Sequence, residues 1–246
     1  MKNIHGLIVL AMMALTLVNS NCHAGEWGLG VGVAMQKPPQ EGTDTQVVAL
    51  PFPSYEGERL SLGFGTIGYA LTRSERVRFA VEGQLRFDGY DPDESYALAG
   101  LEKRDLTLDA GFSLTVMDDW GVASFKVMAD ALGVHDGYEI SASYQYPLQF
   151  ERWTLIPSIG LNMPSAELVE YYYGVEPAEV TNDRPAYSGK SVVNVTAGLG
   201  AMYALTENWE IVGGAEYTFL GDGITDSPII AENSEVIAYT AFVYRF

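Results

Sequence analysis

The chain has 246 residues, enough for one large domain or two small ones, and its 14 Lys and Arg against 32 Asp and Glu give a formal net charge of −18. This charge excludes DNA and RNA as partners, because polyphosphates bind to clustered basic side chains. The apolar share of 48% favours an ordered structure over general disorder. The single cysteine excludes an intramolecular disulfide framework and a cysteine-based zinc site.

The N-terminus predicts a secretory signal peptide. A basic residue precedes an apolar run at 7–18, and small residues stand at Cys22 and Ala24 before Gly25. The apolar run is too short to cross a bilayer as a helix. We therefore predict cleavage between Ala24 and Gly25. A lipid anchor on Cys22 is the alternative, and it is disfavoured because the residues just before Cys22 are polar.

Alternation of apolar and polar residues predicts β-strands along the rest of the chain. In the first of them, Trp27, Leu29 and Val31 share one face, and small residues fill the other. The predicted strands, in chain order, are 26–36, 60–71, 76–88, 105–116, 120–132, 138–146, 153–163, 191–205, 209–219 and a last strand that ends at Phe246. This makes about ten strands, or twelve if 46–54 and another loop segment pair. No segment has the pattern of a helix of ordinary length.

The predicted connections alternate between short and long. Short polar turns lie at 72–75, 118–119, 150–152 and 206–208, and long connections lie at 37–58, 89–103, 133–137, 164–190 and 221–234. Three of the short turns lead directly into Trp120, Trp153 and Trp209. This asymmetry is typical of an up-and-down transmembrane barrel with short periplasmic turns, long outer loops and an aromatic girdle at the lipid interface.

The predicted fold class is therefore all-β, an antiparallel transmembrane β-barrel at 25–246 that follows a signal peptide at 1–24. A soluble β-sandwich or lipocalin-like barrel also alternates, but the apolar faces here are longer than those of most soluble strands. Phe242, Tyr244 and Phe246 resemble the C-terminal signal read by the barrel-assembly machinery. These features predict a Gram-negative outer-membrane location, in contact with lipid and lipopolysaccharide.

Short motifs spread along the mature chain carry a resemblance. They are Leu-Asp-Ala-Gly-Phe at 108–112, the segment from Asp130 through His135 to Gly137, Tyr171-Tyr172-Tyr173-Gly174-Val175, Pro-Ala-Tyr at 185–187, Asn-Trp at 208–209 and Asp226-Ser227-Pro228. In this order they resemble the MipA/OmpV family of outer-membrane proteins. The resemblance implies a barrel that, in the founding member, links an MltA-type lytic transglycosylase to a penicillin-binding protein in peptidoglycan synthesis. Other members resemble small porins, adhesins or envelope-stress proteins, which is the alternative function.

A catalytic interpretation centres on His135, the one histidine that remains after signal removal. Asp130 and Asp136 flank it, so an Asp/His pair or a Ser/His/acid site is arithmetically possible. No Gly-x-Ser-x-Gly motif supplies a nucleophile, and one histidine cannot form a multi-histidine metal site. We predict a structural loop histidine in a protein that is not an enzyme and holds neither metal nor cofactor.

Two loop segments and the lumen have alternative interpretations. The acidic run of Asp88, Asp91, Asp93 and Glu94 has oxygen ligands for Ca²⁺ or Mg²⁺, but Pro92 and the lack of EF-hand spacing favour a solvated turn. The three tyrosines at 171–173 form an adhesive patch or fold onto the barrel mouth, and we favour the second. The acidic residues predicted to face the lumen would make any pore cation-selective. They are Glu82, Asp105, Asp109, Glu139, Glu210 and Glu216.

Overall fold

A computed structural model describes residues 25–246, and the predicted signal peptide with its cleavage residue Ala24 lies outside the described residues. The elements are β1 (Glu26–Lys37), β2 (Gln46–Glu56), β3 (Leu60–Gly63), β4 (Thr66–Arg73), β5 (Val77–Arg86), β6 (Thr107–Asp118), β7 (Gly121–Asp130), β8 (Tyr138–Gln145), β9 (Leu148–Phe150), β10 (Trp153–Pro164), α1 (Ala166–Tyr173), β11 (Asn194–Ala204), β12 (Trp209–Phe219), α2 (Asp222–Thr225) and β13 (Ser234–Arg245). Two single-turn 3-10 helices lie between β5 and β6, at Pro92–Glu94 and Tyr96–Leu98.

The strands form one closed antiparallel sheet. Each strand pairs with its neighbours in chain order, β13 pairs with β1, and β10 pairs with β11 to complete the ring. The strands β8 and β9 both pair with β10 and form one wall strand that is interrupted at 146–147. The barrel wall therefore contains twelve strands, in agreement with the twelve-strand form of the sequence prediction.

The two extra strands come from segments that the sequence pattern obscured. The strand β2 pairs with β1 from Gln36 opposite Gln46 to Glu26 opposite Glu56, so the predicted long loop at 37–58 is wrong. The predicted strand at 60–71 is in fact a hairpin of β3 and β4. Its two-residue turn needs Gly65, whose φ of +66° favours glycine.

The wall has an apolar outer face and a lumen face of small and polar residues. In β1 the side chains of Leu29 and Val31 are exposed on the outside, while the small residues Gly32 and Ala34 are buried on the lumen side. Most wall strands have eight to twelve residues, the length that a tilted strand needs to cross the hydrocarbon. Within 25–246, no helix is long and apolar enough to cross a membrane.

The two ends of the barrel differ. At one end, here called the turn end, the strands are joined by the short connections 57–59, 74–76, 119–120, 151–152 and 205–208, and both termini of the described chain lie there. At the other end, the loop end, they are joined by 38–45, 87–106, 131–137, 165–193 and 220–233. The predicted alternation of short and long connections is confirmed outside 37–73, where β3 and β4 are joined by a two-residue turn at 64–65 on the loop-end side. Asp105 belongs to an outer loop and is exposed, so its predicted position in the lumen is wrong.

The loops at the loop end fold over the barrel mouth as a packed cap. Its apolar centre is a cluster of Tyr90, Leu98, Leu101, Val175 and Ile229, five buried residues drawn from three different loops. Helix α1 adds three more buried side chains to the cap. This helix was not predicted, because at eight residues it is too short to show a clear period of 3.6.

Candidate functional site

A network of buried charges lies just beneath the cap. The ends of β5 and β6 place Arg86 and Asp109 in the lumen, where they are 4% and 2% exposed. Arg86 donates from Nη2 to Asp109 Oδ2 at 2.8 Å, and from Nη1 to Asp88 at 2.9 Å and to Glu139 at 3.4 Å. Three carboxylates thus surround one guanidinium, which offsets the cost of burying its charge.

His135 joins this network through both ring nitrogens. Its Nε2 lies 2.9 Å from Asp109 Oδ1, and its Nδ1 accepts the backbone N–H of Gly137 at 3.0 Å. Because Nδ1 accepts a hydrogen bond, the ring is neutral and its proton sits on Nε2, from which it is donated to Asp109. The imidazole is 4% exposed, so neither nitrogen is free to take a proton from a substrate.

Asp130 shapes the loop that carries His135. Its carboxylate accepts hydrogen bonds from five backbone N–H groups, those of Leu132, Gly133, Val134, His135 and Asp136. The ring of His135 points away from this carboxylate and bonds Asp109 instead. The Asp130 side chain therefore acts as a loop cap, and the proposed Asp130–His135 catalytic pair does not form.

The tyrosines at 171–173 fold into the barrel mouth. Tyr172 is fully buried, and its hydroxyl lies 3.1 Å from Thr107 Oγ1. Burial raises the pKa of the Tyr172 phenol far above its usual value. The ring of Tyr171 lies under the guanidinium of Arg104 at 5.4 Å. The tyrosines therefore lie at the barrel mouth, which is the arrangement that the sequence analysis favoured over an adhesive surface patch.

The remaining family motif residues hold the loops of the cap together. Gly174 ends α1 by donating its N–H to the Glu170 carbonyl at 2.8 Å. Ser227 Oγ donates to the Tyr173 carbonyl at 2.6 Å, which joins the last loop to α1. Asp226 caps α2 with its backbone N–H, and Pro228 directly follows Ser227 in the same loop.

Sequence reasoning missed a second buried ion pair in the cap. Arg104 Nη2 lies 3.4 Å from Glu179 Oε1, and both side chains are buried. Arg184 donates to the carbonyls of Ala97, Ala99 and Glu179. Arg104 and Glu179 are 75 positions apart, and Arg184 is 87 and 85 positions from Ala97 and Ala99, so no local motif marks these contacts.

The acidic run has mainly local partners. Asp88 bonds Arg86 in the buried network, and Asp91 Oδ1 accepts the Asp93 N–H at 3.1 Å as the cap of a 3-10 turn. Glu94 accepts a hydrogen bond from Gln46 Nε2 at 3.3 Å. The segment around Pro92 is therefore a turn, as the sequence analysis predicted.

The free space in the barrel lies mainly at the turn end. A cavity of about 870 Å³ opens there, and its lining includes Phe52, Phe64, Arg78 and Arg245. The space next to Tyr173 beneath the cap measures only about 20 Å³, and a site in the wall beside Tyr239 measures about 40 Å³. The lumen is thus closed at the loop end and open at the turn end.

Aromatic side chains surround the turn end on the outside. Trp120, Trp153 and Trp209 start their strands there and are exposed, as is Trp27, which the sequence analysis did not assign to the girdle. The ring of Trp209 stacks on Phe242 at 4.4 Å, and Tyr244 meets Phe246 edge to face at 5.0 Å. The positions of these side chains suit an aromatic girdle and a C-terminal assembly signal, and both roles remain predictions.

The architecture defines the class of protein. A closed antiparallel barrel with an apolar outer face, a polar lumen and unequal connections at its two ends is an outer-membrane β-barrel. Within this class the chain belongs to the family of the MltA-interacting protein MipA, whose family model matches residues 28–246. The predicted family is thereby confirmed.

Three sequence relatives support this assignment. The chain is 30% identical to the putative outer membrane protein YiaT of Escherichia coli K12, covering 100% of this chain and 98% of that protein. It is 26% identical to OmpV of Vibrio cholerae, covering 93% and 90%, and 26% identical to the MltA-interacting protein of Escherichia coli K12, covering 98% of both chains. An outer-membrane channel from Pseudomonas putida F1 shares 11% identity and a TM-score of 0.49, covering 92% and 96%. The protein is located in the outer membrane, as the sequence predicted.

Proposed function

We propose that this protein is a non-enzymatic outer-membrane barrel whose turn end faces the periplasm and binds a murein enzyme. The observation that carries the proposal is the difference between the two ends. The loop end is sealed by buried ion pairs and packed loops, whereas the turn end opens into a cavity of about 870 Å³. An accessible concave surface thus faces the compartment in which murein enzymes act.

The family supplies the class of partner. One relative, 26% identical over nearly its whole length, is named for its interaction with MltA. We infer that this chain binds a lytic transglycosylase of the same type, and that it joins this enzyme to a penicillin-binding protein. The barrel would then act as a scaffold that holds a murein hydrolase and a murein synthase at the membrane.

The surface of the turn end suits a protein partner. Its short turns present exposed charges of both signs, and they surround a cavity partly lined by aromatic side chains. The exposed charged residues of these turns are Glu58, Arg59, Glu75, Arg76, Asp119, Glu151, Arg152 and Glu207. A polar rim around a partly apolar concave surface is a common anatomy of a protein interface.

The alternatives have weaker support. A small porin needs an open lumen, and here the loops of the cap fold over the barrel mouth above the network of Arg86, Asp109 and His135. An adhesin needs exposed groups on the outer loops, but the tyrosines at 171–173 turn inward. The engagement of both His135 nitrogens supports a non-enzymatic role.

The test is retention of the purified, refolded barrel on an immobilised MltA-type lytic transglycosylase. We expect saturable binding that a double charge reversal at exposed turn residues, Glu75→Lys with Glu207→Lys, weakens at least about tenfold, because reversed rim charges disrupt complementarity. The matched control reverses two exposed loop-end charges, Glu41→Lys with Glu176→Lys, and should bind like the wild type. Retention no better than that of an unrelated barrel, or loss only in the control variant, would contradict the proposal.

A further inference from the structure

The barrel wall is incomplete beside β2. This strand pairs with β1 along its whole length, but it pairs with β3 only through Tyr55 and Glu56. The hairpin of β3 and β4 is short and turns back at Phe64 and Gly65. Within the described chain, the segment 46–54 therefore has no neighbouring strand on that side.

The sequence is adapted to this open edge. Gly57 donates its N–H to the Leu60 carbonyl at 2.9 Å, so its backbone groups point toward β3. The backbone N–H and C=O groups of successive residues in a strand point to opposite sides. Pro51 and Pro53 are an even number of residues from Gly57, so their backbone groups also point toward the β3 side. A proline has no N–H group, so neither position leaves an unpaired donor facing lipid. The two prolines thus remove two donors from the open edge, whereas Val47 and Ala49, which point to the same side, keep theirs.

The inner side of the opening is apolar. Val48 and Leu50 lie opposite Ala34 and Gly32 of β1, so their side chains face the lumen. The rings of Phe64 and Phe87 stack at 5.8 Å and pack in the same cluster. A lumen face is normally polar, and here it carries this apolar lining as well as a second apolar patch that includes Ile156, Val212 and Val243.

The large cavity reaches this opening and contains a buried cation. Phe52, Pro53 and Phe64 line the cavity together with Arg78, which is 7% exposed. Arg78 Nη2 donates to Ser61 Oγ at 2.6 Å, while its Nε has no hydrogen-bond partner among residues 25–246. Gly68 leaves room for the guanidinium of Arg78, since a Cβ at position 68 would lie 3.1 Å from Arg78 Nη2.

The other arginines of the cavity are engaged. Arg76 pairs with Asp118 at 3.1 Å, and Arg245 pairs with Glu210 at 2.8 Å. The nearby carboxylate of Glu56 pairs with Arg73 at 3.3 Å. Among the described residues no carboxylate lies within 4.0 Å of the Arg78 guanidinium, and Glu56 and Glu82 attract it only from a greater distance. Such a group is costly unless an anion or water completes its hydrogen bonds.

We propose that this cavity binds a single-chain anionic amphiphile that enters from the lipid through the opening beside β2. Its carboxylate head bonds Arg78, and its apolar chain lies along Phe52 and Phe64 toward the opening. The volume of the cavity is within the range of ligand sites. This proposal does not depend on binding of a murein enzyme, which uses the rim of the turn end.

Binding is tested with cis-parinaric acid, a fluorescent fatty acid, on the barrel in lipid nanodiscs. We expect saturable fluorescence that oleate displaces and that oleyl alcohol displaces at least about tenfold less well, because a charged hydrogen bond is lost. Arg78→Gln should weaken binding by a similar factor. The control Lys126→Gln removes a lumen cation that pairs with Glu82 at 2.7 Å and lies outside the cavity lining, and it should leave the affinity unchanged.

The entry route is tested with a diazirine-bearing fatty acid and mass spectrometry of the labelled peptides. We expect labelling of β2 and of the turn at Phe64 that excess oleate suppresses. Heat-dependent mobility in SDS gels shows that each variant is folded. The absence of saturable binding, an unchanged affinity in folded Arg78→Gln, or oleate-sensitive labels confined to other strands would overturn the proposal.

Discussion

At the scale of single residues, Asp109 is the junction of the sealed end. One of its oxygens bonds Arg86 and the other bonds His135, so a wall strand, a lumen cation and an outer loop meet at one carboxylate. The resemblance to a known family marked His135 and Asp130 as motif residues. It did not indicate that Asp109, 26 positions before His135, is the hydrogen-bond partner of the His135 imidazole, because such a pairing depends on strand register.

Replacing Asp109 should destabilise the barrel. Asp109→Asn leaves the guanidinium of Arg86 buried with less compensating charge, so we expect a loss of about 3 kcal/mol in the free energy of unfolding. The measurement is urea unfolding in detergent, followed by tryptophan fluorescence. Asp105→Asn is the matched control, since that side chain is exposed and solvent screens its pairing with Lys103. Equal stability of the two variants would show that the network does not hold the cap.

Residue patterns predicted other parts of the cap only in outline. Pro92 correctly indicated a turn. The pair of Arg104 and Glu179 had no signal in the sequence, because its partners are 75 positions apart in loops of irregular backbone. Long-range pairs of this kind require the fold to be known first.

At the scale of elements, periodicity identified strands wherever one face is apolar and the other is polar. It failed for β2, in which lumen-facing Leu50 and Phe52 alternate with lipid-facing Pro51 and Pro53. Both faces of that strand are apolar, so no period of two is visible, and prolines normally argue against a strand. The error therefore falls where β2 borders the opening in the wall and has an apolar inner face.

The two prolines of β2 should keep the open edge from pairing with another chain. Replacing Pro51 and Pro53 with alanine restores two backbone donors on an edge that has no neighbouring strand, so we expect a severalfold increase in dimers. Chemical crosslinking of the purified barrel in detergent measures this increase. Pro157→Ala is the control, because the backbone of Pro157 faces the segment 146–147, where its carbonyl accepts the Tyr146 N–H at 3.1 Å, and not an open edge. A double variant as monomeric as the control would contradict an open edge.

At the scale of the whole molecule, the barrel is covered at the loop end and open at the turn end. The cap fills the loop end, while the turn end keeps its cavity. The unequal connections let the sequence predict two different ends, and the long loops indicated which end is covered. The sequence did not predict how tightly they seal it, because that depends on packing between residues of different loops.

Sealing of the loop end should prevent steady ion flow. In planar bilayers we expect the wild type to show no stable conductance, and a variant lacking 166–190 to open a cation-preferring pore. The preference follows from the lumen face of the wall strands, where acidic residues outnumber basic ones. Stable conductance of the wild type would instead favour the porin alternative.

The most direct test of the central claim, that a murein enzyme binds at the turn end, is site-specific photocrosslinking in living cells. One photoreactive residue replaces exposed Glu75 at the turn end, and a second replaces Tyr96, which is 97% exposed at the loop end. We predict adducts with a lytic transglycosylase or a penicillin-binding protein from position 75 and none from position 96. Murein-enzyme adducts from position 96, or none from position 75 in a correctly assembled barrel, would contradict the account.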